Sequence, residues 1–282
     1  MKVLVTGVNG QLGFDVCREL ARLGVEHRGV DIVDFDLTDE LQTRSYIVGY
    51  SPYAVVHCAA YTAVDKAESN KERCHAVNVL GTAHVAECCR ALGAKLVYIS
   101  TDYVFDGQGE APFEADSPKN PVNYYGLTKS LGEDEVLKRA SKHFIVRTSW
   151  VFGENGGNFV RTMLRLGAER QSVKVVMDQI GSPTYTPDLA KLLCQMILTD
   201  KYGVYHATNE GTCSWYEFAA DIMREAGLSC RVEPIPASEY PSDAKRPMNS
   251  RLSKAGLDVA GFARLPDWRD ALKRYIASSR NA

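Results

Sequence analysis

Four continuous apolar runs constrain this chain more than any other feature: KVLVT at 2–6, AVVHCAA at 54–60, KLVYIS at 95–100 and FIVRT at 144–148. None alternates apolar with polar residues, so each reads as a strand covered on both faces. The segments between them carry helical spacing instead. Leu12, Val16, Leu20 and Leu23 step by three and four, and Val77, Leu80, His84, Ala86 and Cys88 make a second such segment. A third helix is expected to start at Thr38, whose side chain caps it, with Asp39 and Glu40 placed in the first turn where the dipole favours acids. Strands alternating with helices at these distances imply right-handed crossovers and a doubly wound parallel α/β sheet.

Residues 1–150 hold this pattern, which is the expected extent of a dinucleotide-binding domain. From 151 to 282 the character changes. GENGGN at 153–158, QIGSPTYTPD at 179–188 and PIPASEYPSDAKRP at 234–247 are glycine- and proline-rich loops between shorter elements, as in a smaller substrate-binding domain. TPDLAKLLCQMILTD and GVYHAT, within 184–208, look like one more helix and strand that return to the first sheet.

Composition excludes several functions. A net charge of -2 gives no basic field for nucleic acid. No apolar stretch approaches the roughly 20 residues that span a bilayer, and the first residues do not read as a signal peptide. Eight cysteines without a Cys-x-x-Cys pair read as reduced core residues of a cytoplasmic enzyme, and six scattered histidines show no metal-ligand spacing.

The turn TGVNGQLG adds chemistry to the sheet. Gly7, Gly10 and Gly13 follow the first strand and open the first helix, the Rossmann-type context for a dinucleotide pyrophosphate at a helix N-terminus. Their spacing is Gly-x-x-Gly-x-x-Gly, which separates this chain from the Gly-x-Gly-x-x-Gly enzymes. Asp31, expected at the end of the second strand, suits the adenosine ribose hydroxyls and repels a 2′-phosphate, so NADH is favoured over NADPH. Asp36 and Leu37 are candidates for holding the adenine.

NYYGLTK at 123–129 places Tyr125 and Lys129 four residues apart, on one face if helical and about 6 Å apart at Cβ. A lysine so close is expected to lower the phenol's pKa and make it a usable proton donor and acceptor. Ser100 and Thr101 end the strand KLVYIS, and AAYTAVD at 59–65 ends another, both at the carboxyl edge where open parallel sheets bind ligands.

The glycine turn, Thr101 and Tyr125-x-x-x-Lys129 resemble the extended short-chain dehydrogenase/reductases. More narrowly, AAYTAVDKAES, STDYVFDG, VRTSWVFG, NFVRTMLRLG, DQIGSPTYTPDLA, RPMNSRL and LPDWRDALKRY resemble the dTDP-4-dehydrorhamnose reductase family over essentially the whole chain. The resemblance implies reduction of the 4-keto group of dTDP-4-dehydro-β-L-rhamnose to dTDP-L-rhamnose with NADH or NADPH. It implies Tyr125 as proton donor, Lys129 on the nicotinamide ribose and Thr101 on the reacting oxygen. Asn9, Gln11, Leu12, Ala59, Ala60, Tyr61 and Asn78 join the glycines as cofactor residues. Val104, Phe105 and Trp150 match positions near the sugar, Arg246 suits a diphosphate, and Lys66, Asn158, Gln179 and Thr184 complete the expected substrate contacts.

Some members of that family form a magnesium-bridged dimer. Asp15 matches one of its carboxylates, but the remaining ligands are not identifiable, so no metal site is assigned and the expected state is monomer or homodimer. Ile32, not an arginine, follows Asp31, which again disfavours the 2′-phosphate. Three rivals stand beside the reductase. A dehydratase needs a second acid where Tyr103 follows Asp102; an epimerase could use the same triad on another keto sugar; a regulatory subunit could keep the dinucleotide fold without catalysis.

Overall fold

The computed structural model describes residues 1–279. Its central sheet runs through the strands β1 (Lys2–Thr6), β2 (Glu26–Val30), β3 (Ala54–His57), β4 (Lys95–Thr101) and β5 (His143–Thr148), closed at one edge by Gly203–His206. All pairings are parallel and the spatial order is β2-β1-β3-β4-β5 followed by Gly203–His206. β1, β3 and β5 are buried almost end to end, as the unbroken apolar runs require. β2 lies at the edge and alternates. The chain leaves β1 in one direction to β2 and returns past it to β3. That reversal opens a crevice at the carboxyl ends of β1 and β3.

Helix α1 (Gln11–Arg22) presents Leu12, Val16 and Leu20 to the sheet. Leu23 lies past its end as the C-cap and is exposed, because the glycine that follows turns the chain toward β2. Helix α2 (Glu40–Tyr50) is capped by Asp39, whose carboxylate accepts the Gln42 N–H, and not by Thr38. The Thr38 amide and hydroxyl are both engaged by Asp36 Oδ1, at 2.9 and 2.8 Å, so the turn consumes the expected cap.

The segment from 71 also departs from simple periodicity. Residues 76–81 form a π turn that inserts an extra residue into the helix before Thr82–Leu92. Ala86 and Cys88 are buried as expected, beside Val79, Val85 and Cys89, while Leu80 is left exposed and Val77 and His84 are half-buried.

Thr186–Met196 packs on α1, and its neighbours Gly203–His206 pair with β5, so this part of the later chain sits on the first sheet. A second core gathers Phe152, Val160, Phe218, Trp268 and Tyr275 between the helices Phe159–Glu169, Trp215–Ala226 and Trp268–Ser279 and the paired strands 172–176 and 231–235. Residues 280–282 at the end of the 151–282 segment lie outside the described residues.

The crevice depends on backbone contact at two glycines. A Cβ on Gly7, at φ +72°, would lie 2.6 Å from Ala59 N, and one on Gly13 would lie 2.3 Å from the Gly7 carbonyl oxygen. The α1 N-terminus, the glycine turn and the end of β3 thus touch without side chains between them. Gly13→Ala is therefore expected to lower stability by about 1–3 kcal/mol, read from the urea midpoint, because backbone must move to admit one methyl.

Candidate active site

A cleft of about 1070 Å³ runs across these carboxyl edges, large enough for an extended ligand. Gly7, Asn9, Gly10, Gln11, Leu12 and Gly13 floor it at the start of α1, with Ala59, Ala60 and Tyr61 opposite and Asp31, Asp36 and Leu37 at one end. The first free N–H groups of α1 and its positive end face this floor, which fits a pyrophosphate. Asp31 Oδ2 accepts the Asn9 N–H at 3.0 Å, tying the β2 end to the glycine turn. From the second half of the chain, Asn155 Nδ2 donates to the Asn9 carbonyl at 2.8 Å and Asn158 Nδ2 to Gln11 Oε1 at 3.1 Å, so the loop 153–158 reaches over the same turn.

At the other end Thr101, Tyr125 and Lys129 meet. Asn123 caps the helix Tyr124–Arg139 through the Gly126 N–H at 2.8 Å, which puts Tyr125 in the first turn and Lys129 one turn further in. Lys129 is buried beneath, its ammonium 4.0 Å from the centre of the Tyr98 ring. Burial pushes that ammonium down to about 7, with the Glu133 carboxylate acting against it. The expected lowering of the Tyr125 phenol is not what the site shows. Burial drives it upward, the charge of Asp102 adds to this, and the Thr101 hydroxyl opposes. A phenol in these surroundings is held protonated.

Asp102 emerges as a cleft residue whose importance sequence reasoning missed. Thr101 Oγ1 donates to its Oδ1 at 3.0 Å, while Oδ2 is buried without a hydrogen-bond partner. Burial lifts this carboxyl to about 6, against the nearby Ser250 hydroxyl, which makes no well-formed hydrogen bond to it, and the bonded Thr101 hydroxyl. Ser100 also reaches the cleft, donating at 2.5 Å to the buried Glu133, which Arg147 holds below the ordinary carboxylate range despite its burial.

Arg246 lines the cleft with its guanidinium paired to both oxygens of Asp65, at 3.0 and 2.7 Å. Trp150 and Asn158 line it too; Asn158 also caps Phe159–Glu169. Trp150 adopts a left-handed backbone, φ 49°, a conformation that costs a non-glycine residue about 1–3 kcal/mol unless its surroundings hold it.

The remaining expected contacts lie outside the cleft wall. Val104 and Phe105 are sealed in a small core with Leu252 and Phe113, Phe105 stacked on Phe113 at 4.4 Å, because the 3-10 turn after Thr101 aims them inward. Thr184 is fully buried, accepting from Thr148 Oγ1 at 3.1 Å, and Gln179 is buried behind the wall. Lys66 points outward from the short helix Val64–Ser69. Asn78 lies behind Tyr61, pairing with its backbone N–H and carbonyl at 2.8 and 3.1 Å and with Thr128 at 3.0 Å. It supports cleft residues from the rear. Trp215, Phe159 and Arg73 line the cleft without having been singled out; the SWYEF box at 214–218 was the available signal for Trp215. Asp15 is engaged by Thr186 Oγ1 at 2.5 Å and Arg18 at 3.2 Å. Among the described residues no group of three or more His, Cys, Asp or Glu side chains is placed to hold a metal ion.

A doubly wound sheet with a glycine turn at its switch point, and a threonine, tyrosine and lysine at the far end of one cleft, defines a short-chain dehydrogenase/reductase of the extended type. The chain belongs, within that class, to the dTDP-4-dehydrorhamnose reductase family: the RmlD substrate binding domain matches residues 1–281. The spore coat polysaccharide biosynthesis protein SpsK of Bacillus subtilis is 41% identical over 100% of this chain and 99% of its own. A crystal structure of a dTDP-4-dehydrorhamnose reductase from Clostridium acetobutylicum superposes with TM-score 0.97 at 40% identity, covering 99% of this chain and 100% of that one. The enzyme of that name from Bacillus anthracis, solved in complex with NADP, gives 0.96 at 41% identity over 98% and 99%.

Asp102 generates a pH-dependent expectation. Its folded value of about 6 lies above the ordinary 3.8, so its contribution to stability is present below 3.8 and lost as pH rises through 6. Asp102→Asn is expected to stabilise the protein at neutral pH by up to roughly 3 kcal/mol in denaturant titrations, with the gain vanishing in acid.

Proposed function

We propose that this chain reduces the 4-keto group of dTDP-4-dehydro-β-L-rhamnose to dTDP-L-rhamnose with a nicotinamide dinucleotide, Tyr125 giving the proton. The observation that carries this reading is the meeting of Thr101, Tyr125 and Lys129 at one end of a cleft floored by the glycine turn. Membership of the family and the names of the relatives supply the sugar. Residues 1–150, with the helix and strand within 184–208, serve the cofactor, and the rest of 151–282 serves mainly the sugar nucleotide.

The nicotinamide, when bound, supplies a hydride to the carbonyl carbon. Tyr125 transfers its phenolic proton to the carbonyl oxygen, so that the ketone gains the two hydrogens of the alcohol. The Thr101 hydroxyl, turning its one proton from Asp102 Oδ1, steadies that oxygen as charge develops on it. Lys129 holds the ribose and offers its ammonium to the phenolate left behind. Asp102 keeps the phenol protonated until substrate arrives, and Arg246 turns part of its fork to a diphosphate oxygen.

The glycine floor suits the pyrophosphate that NADH and NADPH share. Asp31, followed by the apolar Ile32, favours NADH through repulsion of a 2′-phosphate; the Bacillus anthracis relative was solved with NADP. The protein is cytoplasmic in this reading and acts as monomer or homodimer.

Loss of cofactor absorbance with enzymatically prepared dTDP-4-dehydro-β-L-rhamnose tests the activity. Tyr125→Phe is expected to lower kcat by about 10²–10⁴-fold with cofactor affinity retained; unchanged turnover would remove Tyr125 from its role. Asp31→Ala is expected to shift the kcat/KM ratio toward NADPH by about tenfold, the equivalent of about 1.4 kcal/mol. An unmoved ratio would assign cofactor choice elsewhere.

A further inference from the structure

Two tryptophans far apart in sequence share the second half of the cleft. The indoles of Trp150 and Trp215 stack with centroids 3.7 Å apart and planes 13° from parallel, and both line the cleft wall. Trp150 holds this place with a left-handed backbone. Such a conformation persists where neighbours over-determine it, and three do so. The Thr184 N–H donates to the Trp150 carbonyl at 3.1 Å. Gly181 leaves room for the ring, since a Cβ there would lie 2.7 Å from indole Cε2. Trp215 covers the stacked face.

Trp215 is itself fixed. It is the first residue of the helix Trp215–Ala226, whose start is set by a reciprocal capping box between Ser214 and Glu217, the Ser214 N–H donating to Glu217 Oε2 at 2.7 Å. Phe159 supports it from the side, ring centroids 4.6 Å apart. The wall formed by Trp150, Val151, Phe159 and Trp215 is apolar, while Thr101, Asp102, Tyr125 and Arg246 supply the polar groups of the same cleft. A 6-deoxyhexose has a matching division, with a methyl where other hexoses carry a hydroxymethyl.

We propose that Trp215 is a positioning residue for the sugar: it holds the Trp150 indole as a fixed wall against which the apolar side of a 6-deoxyhexose packs. The proposal rests on the function argued above and deepens it.

The test uses the full chain and dTDP-L-rhamnose as probe. The chain has three tryptophans, and the third, Trp268, is fully buried in the second core. The stacked pair therefore gives an exciton couplet in circular dichroism to which Trp268 adds only background. Trp215→Leu is expected to abolish the couplet, raise KM for the sugar nucleotide about tenfold with a smaller change in kcat, and leave cofactor affinity within about twofold. Trp215→Phe loses the couplet but keeps an aromatic face against Trp150, and is expected to restore most of the KM. In the wild type, dTDP-L-rhamnose perturbs the couplet and NADH alone does not. An unchanged KM in Trp215→Leu, or equal losses for sugar and cofactor, overturns the proposal while wild-type turnover stands. A wild-type protein that shows the couplet yet neither turns over nor binds the sugar nucleotide overturns the functional reading and the proposal together.

Discussion

Glu133 and Arg147 meet inside the molecule in a bidentate pair, Nε and Nη2 each 2.8 Å from a carboxylate oxygen, with almost no exposure of either residue. A buried pair of this kind gains little by itself, because desolvation of both ions offsets their attraction. Its value lies in what else it holds. Ser100 donates to Glu133 from the end of β4, Arg147 donates to the Ala115 carbonyl at 2.9 Å, and His206 on the edge strand lies 3.3 Å from Arg147. The helix Tyr124–Arg139, β4, β5 and Gly203–His206 are thereby joined at one point. Tyr125, Lys129 and Glu133 repeat every fourth residue on one helix face. Anchoring Glu133 sets the rotation of the helix about its axis, and so where the phenol and the ammonium enter the cleft.

The parts of this architecture legible in the sequence are those whose cause is local. Unbroken apolar runs at β1, β3, β4 and β5 need two covered faces, and the stepping of Leu12, Val16 and Leu20 needs one, so sheet class and α1 follow from periodicity alone. The glycine turn, Thr101, Tyr125 and Lys129 could be placed at one edge because strand ends and helix spacing fix their direction before any tertiary contact is known.

Elsewhere a local pattern was overruled by a partner that spacing does not reveal. Thr38 looks like a cap until Asp36 takes both its polar groups. The π turn at 76–81 inserts one residue, and it is Val77, Leu80 and His84, in and just after it, that miss the inward face. Val104 and Phe105 follow a cleft residue by three and four positions, yet one 3-10 turn sends them into a separate core. Asn78 turns its amide to Tyr61 and Thr128, a choice made by elements brought together from 17 and 50 residues away. Trp215 stands next to a visible capping box, but its stacking on Trp150 depends on how two parts of the fold come together.

The electrostatics of the tyrosine–lysine pair show the same limit more sharply. Spacing on a helix gives a distance, whereas the shift of a titrating group depends also on how much water it has lost. In the cleft both members are deprived of water, and each is driven toward its neutral form: the phenol upward, the ammonium down to about 7. Two such groups titrate as a coupled unit. A negative charge on the phenol would favour a charged Lys129, so the protonation of either group changes how firmly the other holds its proton. Asp102 works on the other side of this balance, since its charge penalises phenolate before substrate binds. A phenolate formed there would bear the repulsion of Asp102, and the charge then favoured on Lys129 is what offsets that cost.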